Sequence, residues 1–282
     1  MFGLIGVFAL VLAALLAITW PHEPKYHGKA LSTYLTQPNL DREEVAKVFR
    51  ERGRDSWPIA LRFLKADKSS WNWRLRVLIT KQPVVKIGLP PEPWYLSEIG
   101  SIGFEALVTN AAPAIPQLAK MLKQPRYTKR AAEALICTGP ACLPIITNLL
   151  KAGTPTERAG VIFALTQLWA LSGYVEYSDH SFWLRPVIPP IVKLANDPAM
   201  NISSAALEVM NSWPTNELQL PDLEFLSRSP NWGVRHSVVQ WLRPRYPNSP
   251  ETRVLLVQAT HDPYWLVQRS AEDALRTLSP SR

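Results

Sequence analysis

The sequence predicts an all-α chain, an α-solenoid of stacked antiparallel helix pairs, and three observations predict it. An alanine-rich helical segment recurs as Arg130-Ala-Ala-Glu-Ala-Leu135, Arg158-Ala-Gly-Val-Ile-Phe-Ala-Leu165, Ser203-Ser-Ala-Ala-Leu207, Arg235-His-Ser-Val-Val-Gln-Trp-Leu242 and Arg269-Ser-Ala-Glu-Asp-Ala-Leu275. The starts lie 28, 45, 32 and 34 residues apart, a unit near 30 with an insertion in the second interval. In an offset series Pro116, Pro144 and Pro189 open further apolar stretches before the segments at Arg130, Arg158 and Ser203, and Pro58 opens one earlier in the chain. Proline suits a first helical turn, where its missing donor has no intrahelical partner anyway. Finally, 12 glycines against 26 prolines in 282 residues argue against a nucleotide fold built on glycine turns, and two cysteines cannot form a disulfide scaffold.

Taken in order, residues 1–20 come first. Phe2 to Trp20 is a 19-residue run without a charge, about 28 Å long as a helix and so close to the hydrocarbon thickness of a bilayer. Pro21 ends it. A cleaved secretory signal is the competing reading, yet the small-residue rule at a cleavage site is poorly met around Ala17 and Thr19. A buried core helix is the third, and it normally carries a polar face, whereas Thr19 is the one polar side chain of the run. An uncleaved single-pass transmembrane anchor is the expectation adopted. Lys25 and Lys29 follow the run and no Lys or Arg precedes it, which by the positive-inside rule leaves the rest of the chain in the cytoplasm.

Residues 21–40 read as a linker and N-terminal cap, and residues 41–282 as the repeat domain. Within it each proline-led stretch runs two to three turns and breaks at Asp67, Gln124-Pro125, Gly153-Thr-Pro155 or Asp197-Pro198, after which the alanine-rich helix begins. Ile115, Leu118, Ala119 and Leu122 recur at helical spacing, as do Ala131, Ala134 and Leu135. One helix pair cannot enclose its own apolar stripe, so units must stack. Residues 172–183 lack that periodicity and read as a loop inserted into the array.

These features resemble the HEAT-repeat proteins, specifically the bacterial HEAT-like class with short units, over residues 40 to 280. Gly103 to Leu122 looks like the first helix of one repeat, its linker and the second helix, beginning at the proline. Asp262-Pro-Tyr-Trp-Leu-Val-Gln-Arg269 looks like the turn aspartate and repeat arginine of that family. Arg74, Arg130, Arg158, Arg235 and Arg269 match the arginine, and Ser203 departs from it. The resemblance implies an armadillo-type superhelix and a structural pairing of Asp262 with Arg269 and of Asp67 with Arg74. Tyr26 to Leu35 is also similar to a stretch that follows the membrane segment in membrane-anchored bacterial HEAT proteins, which implies repeats outside the cytoplasm. That placement is preferred over the charge rule.

Charge is uneven. Lys and Arg against Asp and Glu number 11 to 6 over residues 41–81, 7 to 2 over 117–160, 3 to 7 over 161–234 and 7 to 4 over 235–282. A nucleic-acid groove needs adjacent cations throughout, so the acidic stretch argues against one. The basic stretches suit anionic lipid headgroups beside the anchor.

Aromatic residues Trp71, Trp73, Trp232, Tyr264 and Trp265 fall in or beside turns, where they serve either as protein-binding anchors or as covers over the ends of the hydrophobic layers. Trp169, Trp213 and Trp241 sit at helical spacing and read as core. Arg130, Arg158, Arg235 and Arg269 are read first as structural ion pairs and second as ligand contacts. Catalytic motifs are absent from the sequence, and Asp179-His180 with Glu176 is at most a minor cation candidate. Cys137 and Cys142 read as small core residues. The functional expectation is a non-enzymatic, membrane-tethered scaffold for an unidentified protein partner, needing neither cofactor nor metal. Trp71, Trp73, Arg130, Arg158, Trp232, Arg235, Tyr264, Trp265 and Arg269 are its candidate contacts. Two rivals follow from resemblance, a HEAT-like DNA glycosylase and a phycobilin-lyase-like chromophore factor.

Overall fold

The computed structural model describes residues 23–69, 73–74, 77, 91–172, 183–212 and 218–278. The proposed anchor, the 172–183 insertion beyond its first and last residues, Trp71 and Trp213 lie outside the described residues, as do the side chains of 168–172. Apart from one two-stranded hairpin the described elements are helices. Among the described residues no helix is long and apolar enough to cross a membrane. The chain divides into two compact units, residues 1–114 and 115–282.

In the first unit, β1 (Lys25–Tyr26) pairs antiparallel with β2 (Lys29–Ala30). His27 and Gly28, with φ of 46° and 76°, make the two-residue turn, the conformation that matches strand twist in a tight hairpin. A short helix, α1 (Leu31–Leu35), follows and buries Leu31 and Leu35 completely. The Tyr26 hydroxyl donates to Glu51 Oε2 at 2.5 Å, which ties the hairpin to α2 (Arg42–Arg52). Asp41 caps α2 in a reciprocal box with Glu44, the pattern that satisfies two orphan N–H groups at a helix start. Helices α3 (Trp57–Leu64) and α4 (Pro93–Leu107) pack closely, and α2 packs on α4. Gly100 sits where a Cβ would lie 2.6 Å from Leu64 N and 2.8 Å from Ala60 O, so only glycine lets the two backbones approach.

The second unit is a run of helix pairs in two layers. The first helices are α5 (Ile115–Leu122), α7 (Leu143–Ala152), α9 (Ile188–Leu194), α11 (Leu220–Ser227) and α13 (Pro250–Ala259). Their partners are α6 (Thr128–Cys137), α8 (Pro155–Ser172), α10 (Met200–Ser212), α12 (Trp232–Arg245) and α14 (Trp265–Leu278). Pro58, Pro116, Pro144 and Pro189 each occupy the second position of a helix, as the sequence predicts. A 3₁₀ turn leads into each of those four helices: Gly53–Ser56, Val108–Ala114, Gly139–Cys142 and Arg185–Val187.

Second helices stack on one another along α6, α8 and α10 and again along α12 and α14, while first helices meet in the other layer. The expected stripe of α6 is buried at Ala131, Ala134 and Leu135, and on α5 burial falls on Leu118, Met121 and Leu122. Trp241 is buried as predicted, with its indole N–H donated to Asn211 Oδ1 at 2.6 Å. Both cysteines are free. Cys142 is buried, which pushes its thiol up to about 12, and Cys137 is half-buried.

Candidate functional site: the turn edge of the last helix pairs

Three successive pairs in the second unit turn at a polar residue followed by proline: Asp197-Pro198, Ser229-Pro230 and Asp262-Pro263. In each the polar side chain accepts the N–H two residues on, from Ala199 at 2.9 Å, Asn231 at 3.1 Å and Tyr264 at 2.9 Å. Such side-chain turns present an oxygen to the backbone while proline fixes φ, so the dipeptide dictates the loop.

The two aspartates also reach the preceding pair. Arg158 Nη2 lies 3.3 Å from Asp197 Oδ2. Arg235 donates through Nε to Asp262 Oδ2 at 2.6 Å and through Nη2 to Asp262 Oδ1 at 2.8 Å, a two-pronged clasp with both side chains largely buried. Its Nη1 donates to Ser229 O at 2.7 Å, within its own turn. The Arg235 hydrogen bonds hold the Asp262 carboxyl below the usual carboxylate range and raise the Arg235 guanidinium. Between α10 and α12 both partners change together: Ser203 stands in the place of the arginine and Ser229 in that of the aspartate, and Asn231 Nδ2 reaches Ser203 Oγ at 3.5 Å.

This arrangement corrects the expected pairing of Asp262 with Arg269. Val267, Ala271 and Ala274 are buried in α14 where Val234, Val238 and Trp241 are buried in α12, an offset of 33 residues. Gln268 therefore stands in the place of Arg235, and its Nε2 donates to Asp262 O at 2.6 Å just as Arg235 Nη1 serves Ser229 O. Arg269 faces solvent. In the first unit Asp67 accepts both the N–H and the hydroxyl of Ser69.

The residue opening each second helix in these three pairs is large, apolar and exposed: Met200 at 76%, Trp232 at 41% and Trp265 at 60%. Trp232 stacks on Tyr264 with ring centroids 4.2 Å apart and planes 21° from parallel. His236 lies beside Trp232 at 6.5 Å and its Nε2 meets Ser270 Oγ at 3.0 Å.

Five of the predicted contacts, Trp232, Arg235, Tyr264, Trp265 and Arg269, thus fall on the starts of α12 and α14 and the turn between α13 and α14. Arg235 is spent on the clasp, while the aromatic side chains stay open to solvent in part. Arg130 is half-buried on α6, and Arg158 belongs to the clasp with Asp197. Trp73 belongs to the first unit, half-buried, with Lys68 Nζ 5.8 Å from its ring centroid. Met200, Asn231 and His236 were not anticipated; aligning the polar-proline turns, rather than the alanine-rich segments, brings them into register. A small cleft beside the clasp is lined by Arg235, Val238, Leu242, Leu255 and Asp262. Among the described residues no three metal-ligating side chains cluster, and Glu176, Asp179 and His180 lie outside them.

Comparison with known proteins gives no matching family model and no matching curated protein. Among solved structures the chain is similar to the complex of CpcE and CpcF of phycocyanin lyase from Nostoc sp. PCC7120, at 14% identity over 92% of this chain and 98% of that one, with a TM-score of 0.27. A likeness of that size carries no argument about this chain.

Proposed function

We propose that this protein is a non-enzymatic helical-repeat scaffold that binds a partner protein through the turn edge at α12 and α14. The stack of Trp232 on Tyr264, with Trp265 at 60% exposure beside it, carries the reading. Rigid, partly exposed Trp and Tyr supply large contact area at low entropic cost, which is why they dominate binding hot spots. The Arg235–Asp262 clasp fixes the backbone under them. The uncharged run from Phe2 to Trp20 supports a single-pass tether to a membrane, and the similarity of Tyr26 to Leu35 to the stretch that follows the membrane segment of anchored bacterial HEAT proteins supports helical units on its extracytoplasmic side.

The test is proximity crosslinking of the full chain in native membranes, against a version carrying the anchor alone and a Trp232→Ala/Trp265→Ala double variant. Partners enriched by the intact chain and lost by the double variant are expected. Enrichment that the double variant leaves unchanged refutes the assignment of this edge.

A further inference from the structure

We infer that the turn edge takes an extended, proline-rich segment carrying an acidic residue, an inference that rests on the protein-binding reading and names the chemistry of the partner. Helices α12 and α14 are packed neighbours, and Trp232 and Trp265 occupy the same first position on each. Packed helix axes lie about 8–10 Å apart, so the backbone positions that carry the two tryptophans recur at about that interval. A polyproline II segment advances about 3.1 Å per residue and turns once in three, so one face returns every 9 Å or so. A strand returns to the same face after about 6.6 Å and an α-helix after about 5.4 Å, and both fall out of step with those backbone positions. Of the three, polyproline II alone matches the interval with a single repeat of its face.

The surface chemistry agrees. Tyr264 braces Trp232 from one side, leaving flat aromatic faces of the kind on which proline rings rest. Neither Trp232 nor Trp265 has an intramolecular acceptor for its indole N–H among the described residues, so both donors are open to the carbonyls of a polyproline II chain, which bond to nothing within it. Arg269 stands one turn beyond Trp265 on the same helix face, exposed. The carboxylates one turn further on, Glu272 and Asp273, pair with Arg276 instead. That leaves a cation beside the aromatic steps and calls for an acid in the segment bound there.

The test uses the full chain and three labelled twelve-residue peptides in fluorescence anisotropy at moderate salt. One is all proline, one is proline with a glutamate at every fourth position, and one keeps those glutamates with glycine and serine in place of proline. Saturable binding is expected in the order proline-glutamate, all-proline, glycine-serine. Trp265→Ala is expected to weaken both proline peptides about fivefold or more, as for a hot-spot tryptophan. Arg269→Glu is expected to weaken the glutamate-bearing peptide about fivefold while moving the all-proline peptide less than about twofold, in keeping with a surface ion pair reversed to repulsion. Circular dichroism of each variant checks that its helices are intact. Equal binding of the proline and glycine-serine peptides overturns the inference, as does indifference to Trp265. If the peptides fail while crosslinked partners still depend on Trp232 and Trp265, this inference falls alone; loss of both takes the binding edge with it.

Discussion

Asp262→Ala is the substitution that tests how the last two helix pairs are joined. The carboxylate takes two charge-assisted hydrogen bonds from Arg235, at 2.6 and 2.8 Å, and one from the Tyr264 N–H at 2.9 Å. Its side chain is 7% exposed and that of Arg235 14%, so removing the acid strands a largely buried guanidinium. Breaking such a pair costs about 3–5 kcal/mol when the remaining charge is fully enclosed. Arg235 keeps its bond to Ser229 O and some access to water, which places the expected loss nearer about 2–3 kcal/mol. Urea denaturation of the full chain measures it, and hydrogen exchange locates it in α12 to α14. A double-mutant cycle with Arg235→Met should give a coupling of about 2 kcal/mol, whereas one with Arg269→Ala should give about zero. A loss under about 1 kcal/mol, or coupling to Arg269 in place of Arg235, refutes the clasp. The pH dependence has a fixed sign. A carboxyl whose folded value lies below its unfolded one stabilises the fold above the unfolded value of about 3.9 and loses that contribution as pH falls through the folded one. Asp262→Asn should therefore flatten acid destabilisation below about pH 4.

Two further outcomes follow from the packing. Gly100→Ala should destabilise the first unit by about 2 kcal/mol or more in thermal unfolding, because the new methyl meets backbone atoms of α3 rather than a movable side chain, and an unchanged midpoint would contradict that close approach. Cys142 should resist alkylation in the folded protein at pH 8 and react on unfolding, since burial pushes its thiol up to about 12; prompt labelling of Cys142 in the native chain would contradict its burial.

Much of the local structure was legible in the sequence because it is written in short-range rules. Proline at the second position announced α3, α5, α7 and α9, and the breaks at Asp67, Gln124-Pro125, Gly153-Thr-Pro155 and Asp197-Pro198 follow the ends of those same helices. The pairing of Asp262 was not legible. Intervals between the Arg-Ala segments aligned Arg269 with Arg235, while burial shows the register to be one residue earlier, at Gln268. An ion pair between stacked units depends on which residues the stacking brings together, and that is a property of packing, not of spacing along the chain. Exposure is likewise a packing outcome: Trp241 and Trp232 lie nine positions apart on one helix, one buried against the layer and the other open at its end.

Ser203 and Ser229, standing where the neighbouring junctions have arginine and aspartate, make the junction between α10 and α12 unlike them. It is bridged by the Asn231 contact to Ser203, by Trp241 to Asn211 and by Arg245 Nη2 to Met210 O at 3.2 Å, with no bidentate charge pair among the described residues. An array whose joints differ in strength yields first at its softest one. Under tension, or at the onset of denaturation, α11 to α14 should come away as one block, hinging between Ser203 and Asn231, with the aromatic edge carried intact on the departing piece.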